Sequence, residues 1–205
     1  MTRTAVEHVT VASLTFALER PEDPVSLIDE TAFEADEFLP YWAEHWPSSL
    51  ALAEHVATLD LAGRRVLELG CGLGLPSLVA ARRGAAAVAT DWAGDAIALL
   101  ERNAARNHAP LTALTADWRE PGLFTVLGPF DLVLAADVLY EERNAEPILA
   151  LLDRLGTLAA IADPGRRHAS AFLDAARRGR WAVEPVPAPR IPSGGIHRLS
   201  RVRTS

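Results

Sequence analysis

The chain has 205 residues, 49% of them hydrophobic, which suits one α/β domain with a substantial core and leaves little room for a second. Its formal net charge of −7 argues against a broad phosphate-neutralising face of the kind that holds DNA or RNA, while leaving room for a small basic patch. All 20 basic residues are arginine, so a Walker-type phosphate-binding lysine, a Schiff-base lysine and self-methylation on lysine are excluded.

In chain order, 6–18 reads as an edge strand or hairpin and 24–38 as an acidic, partly helical stretch. The aromatic cluster from Pro40-Tyr41-Trp42 to Trp46-Pro47 opens a helix running to about Leu59. Residues 1–60 are expected to form an N-terminal extension and lid on a single domain whose core is 61–205. From Arg65 short apolar runs alternate with helical periods, the pattern of a sheet covered by helices on both faces. Strands are expected over 65–70, 86–92, 111–118, 130–138, 157–163, 182–187 and 196–203. Helices are expected over 75–84, opened by Pro76 and closed by Gly84, and over 94–108, where Ile97, Leu100 and Ala104 share a face. Two more are expected over 144–155 and 168–179. The Pro-rich stretch 185–192 with Gly194-Gly195 is the loop between the closing strands. The fold class is therefore α/β: a doubly wound, mostly parallel seven-stranded sheet of Rossmann-like type with a short N-terminal extension.

Chemistry concentrates at the carboxyl ends of these strands. Val66-Leu-Glu68-Leu-Gly70-Cys71-Gly72-Leu-Gly74 passes from a buried strand through alternate glycines into a helix. Such a turn lets a ligand rest on bare backbone at a helix N-terminus. The dinucleotide fingerprint needs a further Gly or Ala three residues after its second glycine, and neither register supplies one, since Leu75 or Ser77 stands there. Asp91, at the end of the second strand, is placed to accept from both hydroxyls of a ribose. Asp117-Trp118 ends the third strand, where a carboxylate accepts from an adenine amino group and an indole covers the ring. Asp137-Val138-Leu139-Tyr140 closes the fourth, beside the first at the switch point of the sheet, and an unpaired carboxylate there is too costly to be core. Cys71 reads as a small side chain fitting a tight turn, and as the lone cysteine it excludes an internal disulfide or a multi-cysteine zinc site. The six histidines are dispersed without metal-ligand spacing, so no metal is expected. Residues 1–8 lack the apolar run of a signal peptide, and no stretch approaches a membrane span, so the expected setting is cytoplasmic.

Taken in order, the acid-x-Gly-x-Gly-x-Gly set of Glu68, Gly70, Gly72 and Gly74 resembles motif I of the class I S-adenosylmethionine-dependent methyltransferases. With Thr90-Asp91-Trp92, Ala116-Asp117-Trp118 and Phe130-Asp131-Leu-Val-Leu-Ala-Ala136-Asp137-Val-Leu-Tyr140, it resembles the seven-β-strand group that includes the lysine methyltransferase of electron-transfer flavoprotein β-subunit. Asp137 and Tyr140 match that group's Asp/Glu-x-x-Tyr/Phe motif, and Pro40 to Pro47 resembles its segment before motif I. The likeness runs from about Leu39 to Leu155 and extends to bacterial proteins described as nicotinamide N-methylases. It implies S-adenosylmethionine as cofactor, held by Glu68, Gly70, Cys71, Gly72, Gly74, Asp91, Trp92, Asp117, Trp118, Ala136 and Trp46. Asp137 and Tyr140 then border the acceptor as the catalytic pair. A protein lysine is the acceptor the likeness favours, and a small amine is the alternative. A nucleotide-binding oxidoreductase and a binding module without catalysis stand as readings of other classes. Nucleic-acid methylation is disfavoured because Val138-Leu139 replace the prolines usual after the fourth strand of such enzymes. Arg166-Arg167, Arg177-Arg178-Arg180 and Arg198-Arg201-Arg203 are read as a basic C-terminal edge or a solvated face.

Overall fold

The computed structural model describes residues 3–27 and 40–202. Among the described residues nine strands fall into two sheets. An N-terminal hairpin of β1 (Thr4–Val11) and β2 (Leu14–Pro21) stands apart from the main sheet. The main sheet contains β3 (Arg65–Leu69), β4 (Ala86–Asp91), β5 (Leu111–Thr115), β6 (Leu132–Ala136), β7 (Leu158–Asp163), β8 (Trp181–Val186) and β9 (Gly195–Arg201) in the order β5-β4-β3-β6-β7-β9-β8. The first five strands in that order run parallel, and β9 is antiparallel to both β7 and β8. The helices are α1 (Pro47–Val56), α2 (Leu75–Arg82), α3 (Gly94–Arg106), α4 (Gly122–Leu127), α5 (Ala145–Leu155) and α6 (Arg167–Arg178). None of the helices among the described residues is long and apolar enough to cross a membrane.

The near-continuous apolar runs of the central strands follow from burial on both faces. Val66, Leu132, Leu134, Ala160 and Ala162 point to the layer of α1, α2 and α3. Their alternates Leu67, Leu69, Val133, Ala135 and Ile161 point to the layer of α5 and α6, where Phe124 of α4 joins them. This is the seven-stranded doubly wound sheet expected, with its register aligned at one rim: Leu69 pairs with Thr90 on one side and Ala135 on the other. Gly70, Asp91 and Asp137 therefore leave the sheet at nearly the same level.

Some boundaries differ from expectation. The expected helix opening at Pro40 is broken: Tyr41–Ala43 is a 3-10 turn, and α1 starts at Pro47 because a proline at N1 holds Trp46 extended, at φ −75° and ψ 140°. The strands expected over 111–118 and 130–138 are shorter, ending at Thr115 and Ala136, since the chain turns at the rim to present its acids. Helix α4, six residues long, was not expected, because Pro121-Gly122 reads as a turn and one and a half turns are too few to show a period. Of the partly helical stretch expected over 24–38, Pro24–Leu27 is a 3-10 turn and 28–38 lies outside the described residues.

The hairpin docks on α3 by an unusual route. The side-chain amide of Asn107 accepts from Ala17 N–H (2.8 Å) and donates to Ala17 C=O (2.9 Å), and Asn103 does the same for Glu19 (2.7 and 2.9 Å). Two buried amides thus pair the edge of β2 as a neighbouring strand would. Arg102 and Arg106 reinforce the join, lying 3.2 and 3.1 Å from the Glu19 carboxylate. The hairpin does not line the cavity described next, so among the described residues of the expected lid only 41–49 does so.

Candidate active site

The strand ends open into a cavity of about 450 Å³, within the range that holds a cofactor-sized ligand. Its floor is the turn after β3. Gly70, Gly72 and Gly74 all have positive φ (63°, 51° and 72°). A Cβ on Gly70 would lie 2.9 Å from Val138 and 3.0 Å from the Trp118 ring, and one on Gly74 would overlap the Leu100 side chain. Gly70 and Gly72 line the cavity, whereas Gly74 is the N-cap of α2, packed against Leu100, and does not. The turn's amides at 71, 72 and 74 are engaged within the protein, donating to Thr90 C=O, the Asp91 carboxylate and Cys71 C=O at 2.8–2.9 Å. The turn therefore offers a ligand a bare surface rather than those three donors.

Asp91 is buried, with one carboxylate oxygen on Gly72 N–H (2.9 Å) and the other on Ala93 N–H (3.0 Å). Burial pushes its carboxyl up, and those backbone bonds oppose the shift. Beneath it Glu68, 1% exposed, accepts from Ser77 N–H at 2.9 Å and contacts the Ser77 hydroxyl. Burial pushes this carboxyl up to about 8 against the lowering effect of Ser77, with Asp91 adding a smaller push upward. Cys71 is buried in the cavity wall, where burial drives its thiol up and makes it a poor nucleophile. Trp92 and Trp118 also line the cavity.

The wall packed against this turn is built from the exit of β6 and from the segment before α1: a Cβ on Gly72 would lie 3.1 Å from the Trp42 carbonyl oxygen. Asp137 follows the last residue of β6 with φ +60°, its N–H on Ala162 C=O (2.9 Å) and its carboxylate on Arg166 (2.5 Å). Tyr140 packs at a tilt on Tyr41 (5.7 Å between centroids), which meets Trp46 edge to face (6.0 Å). The Trp46 indole N–H is fixed by Tyr41 C=O at 2.7 Å. Burial pushes the Tyr140 hydroxyl up, and the charge of Glu141 adds to this. Glu44 and Glu141 complete the rim.

Of the residues expected at the site, Glu68, Gly70, Cys71, Gly72, Asp91, Trp92, Trp118, Ala136, Asp137, Tyr140 and Trp46 share this one cavity. Asp117 does not line it. Its carboxylate is taken by Arg119 at 2.6 Å, and that hydrogen-bonded contact holds its carboxyl below the ordinary range. Arg166 was not singled out: in the sequence it is one arginine of a basic cluster. The signal was the rim acid Asp163 followed by a Pro-Gly turn next to the switch point. Among the other expected basic-edge arginines, Arg177 pairs with Asp174, Arg198 with Glu184 and Arg201 with Asp153. Arg203 lies outside the described residues.

A sheet of this order whose strands run parallel except β9, set between β7 and the edge strand β8, with a glycine turn after its first strand and rim acids on that strand's two neighbours, defines a Rossmann-like methyltransferase fold. Residues 41–165 match the family model described as lysine methyltransferase, and the chain belongs to that family. It is 35% identical to the electron transfer flavoprotein beta subunit lysine methyltransferase of Danio rerio over 62% of this chain and 51% of that one. It is also 34% identical to the histone-arginine methyltransferase METTL23 of Xenopus laevis over 51% of this chain and 47% of that one. The chain thus spans about half the length of these curated relatives. The magnesium protoporphyrin IX methyltransferase of Synechocystis PCC 6803, solved with bound S-adenosylmethionine, is alike in fold, with TM-score 0.65 at 18% identity over 94% of this chain and all of the other.

Proposed function

We propose that this protein binds S-adenosylmethionine in the cavity and methylates the side-chain nitrogen of a lysine in a protein substrate. The observation that carries the reading is convergence: glycine turn, buried Asp91, rim Asp137 and an aromatic wall meet in one cavity, in a chain of the lysine methyltransferase family. The residues fit the cofactor. Gly70 and Gly72 leave a surface without side chains, Asp91 offers carboxylate oxygens held by backbone, and Trp92 and Trp118 supply faces for an adenine. On this reading Glu68 and the turn hold the methionine end, Asp91 the ribose, and Asp137 and Tyr140 border the acceptor. Bound S-adenosylmethionine supplies an electrophilic methyl carbon: an N–C bond forms as the C–S bond breaks, leaving S-adenosylhomocysteine.

The protein's task is to deliver a neutral amine in line and dry. A lysine side chain, with a reference pKa of about 10.4, must shed its proton before it can attack. Glu44, exposed at the rim, draws the ammonium in, while Glu141 beside it is paired with Arg143. Tyr41, Trp46 and Tyr140 then strip its water, which disfavours the charged form, and their ring faces attract the methylated cation that results.

The test is to incubate purified protein and isotopically labelled S-adenosylmethionine with the proteome of a strain lacking it. Label recovered as methyl-lysine in a protein band is the expected result. Label confined to small molecules would replace the protein acceptor by a small amine, and no transfer at all would leave a binding module. Because the chain contains no lysine, methyl-lysine cannot come from the enzyme itself.

A further inference from the structure

β7 ends in Asp163, 1% exposed, whose Oδ1 accepts from Gly165 N–H (2.8 Å) and Arg166 N–H (2.7 Å). These two bonds shape the turn into α6 and set the direction in which Arg166 leaves the backbone. Its guanidinium crosses to the neighbouring strand end and donates from Nε to Oδ1 of Asp137 at 2.5 Å. The pair is lopsided in solvent: the Asp137 side chain is 7% exposed and that of Arg166 35%. Asp137 is also one of three non-glycine residues with positive φ among those described, a conformation that a rigid surrounding must hold in place. Both side chains line the cavity, at the carboxyl ends of the neighbouring strands β6 and β7.

This arrangement bears on the acceptor, given the reading above in which Asp137 borders it. A carboxylate beside the acceptor nitrogen stabilises the ammonium, which has no lone pair to give. We infer that Arg166 is a positioning residue that aims the Asp137 carboxylate and offsets its charge, so that the inner end of the cavity accepts a neutral amine while the acidic rim still attracts a cation. Asp163 is the anchor of the device, since it fixes the backbone from which Arg166 reaches.

A pair of cofactor analogues tests this without an acceptor. Sinefungin carries a carbon-borne amine, an ammonium at neutral pH, where S-adenosylmethionine carries its methyl. S-adenosylhomocysteine has nothing there. Calorimetric titration of both into the unaltered protein, Arg166→Gln, Arg166→Lys and the double variant Arg166→Gln with Asp137→Asn gives the affinity ratio of the two ligands. Arg166→Gln should raise the preference for sinefungin by about fivefold, the effect of exposing one partly solvated carboxylate to a nearby cation. Arg166→Lys should return most of the way to the unaltered ratio, and Asp137→Asn should abolish the gain. A purely structural role for Arg166 would weaken both ligands alike. An unchanged ratio in Arg166→Gln, with both ligands still bound, overturns the inference and spares the cofactor site; failure of the unaltered protein to bind either ligand overturns both.

Discussion

Glutamine in place of Glu68 removes the buried acid beneath the cavity while keeping its shape and its capacity to accept from Ser77 N–H. The Glu68 carboxyl moves from an ordinary value of 4.5 to about 8 because burial penalises its charged form, with Ser77 opposing and Asp91 assisting. The folded protein therefore holds this proton where the unfolded chain has lost it. For an acid raised on folding, the stabilisation is complete below the unfolded value and is lost as pH climbs to the folded one. Each pH unit in that window is worth about 1.4 kcal/mol, so stability should fall by about 3 kcal/mol between pH 5.5 and 7.5 from this group alone. The ceiling across the whole window is about 5 kcal/mol, on the order of half the stability of a typical domain. Urea unfolding of the unaltered protein and Glu68→Gln at half-unit pH steps measures the difference directly. The variant's curve should be flatter by about 1.4 kcal/mol per unit, and the two should converge near pH 4.5. Parallel curves would show that Glu68 titrates alike in both states, and the burial argument would be wrong.

Gly74→Ala places a Cβ against Leu100 at a residue with φ of 72°, so it should cost about 2–4 kcal/mol in denaturant unfolding, and a loss under 1 kcal/mol would mean that the turn relaxes freely. Asn107→Ala leaves Ala17 N–H and C=O without their partner, and should lower stability by about 1–3 kcal/mol while accelerating amide exchange at Ala17 and Glu19 more than at β3.

The sheet was readable because its strands obey local rules. Apolar runs such as 132–136 are long enough to mark burial on both faces, and a residue's place at a strand's carboxyl end follows from counting along the chain. Asp91 and Asp137 were found by that logic, and both line the cavity. The same logic misplaced Asp117: a rim position fixes where the backbone is, and Arg119, two residues on, decides where the carboxylate goes. Gly74 shows the converse. Its motif spacing and its positive φ are shared with Gly70 and Gly72, yet the group that fills the space where a side chain would go is Leu100, twenty-six residues away in sequence and invisible to any local pattern. Arg166 was hidden for a third reason. Nothing about an arginine in a basic stretch distinguishes a solvated charge from one that a buried carboxylate aims at a neighbouring strand, because the distinction depends on the packing of β7 beside β6.

The asparagine pair that holds the hairpin also acts as a vernier. Four residues of helix rise about 6 Å, and two residues of strand advance about 6.8 Å. Asn103 and Asn107 can therefore read Ala17 and Glu19 together, and the small mismatch is taken up by side-chain torsion. Shifting β2 by a single residue would bring both amides opposite backbone groups that face the wrong way. The stretch from Ala17 to Glu19 is thus indexed to the helix, and with it the point from which the chain sets out toward the aromatic wall.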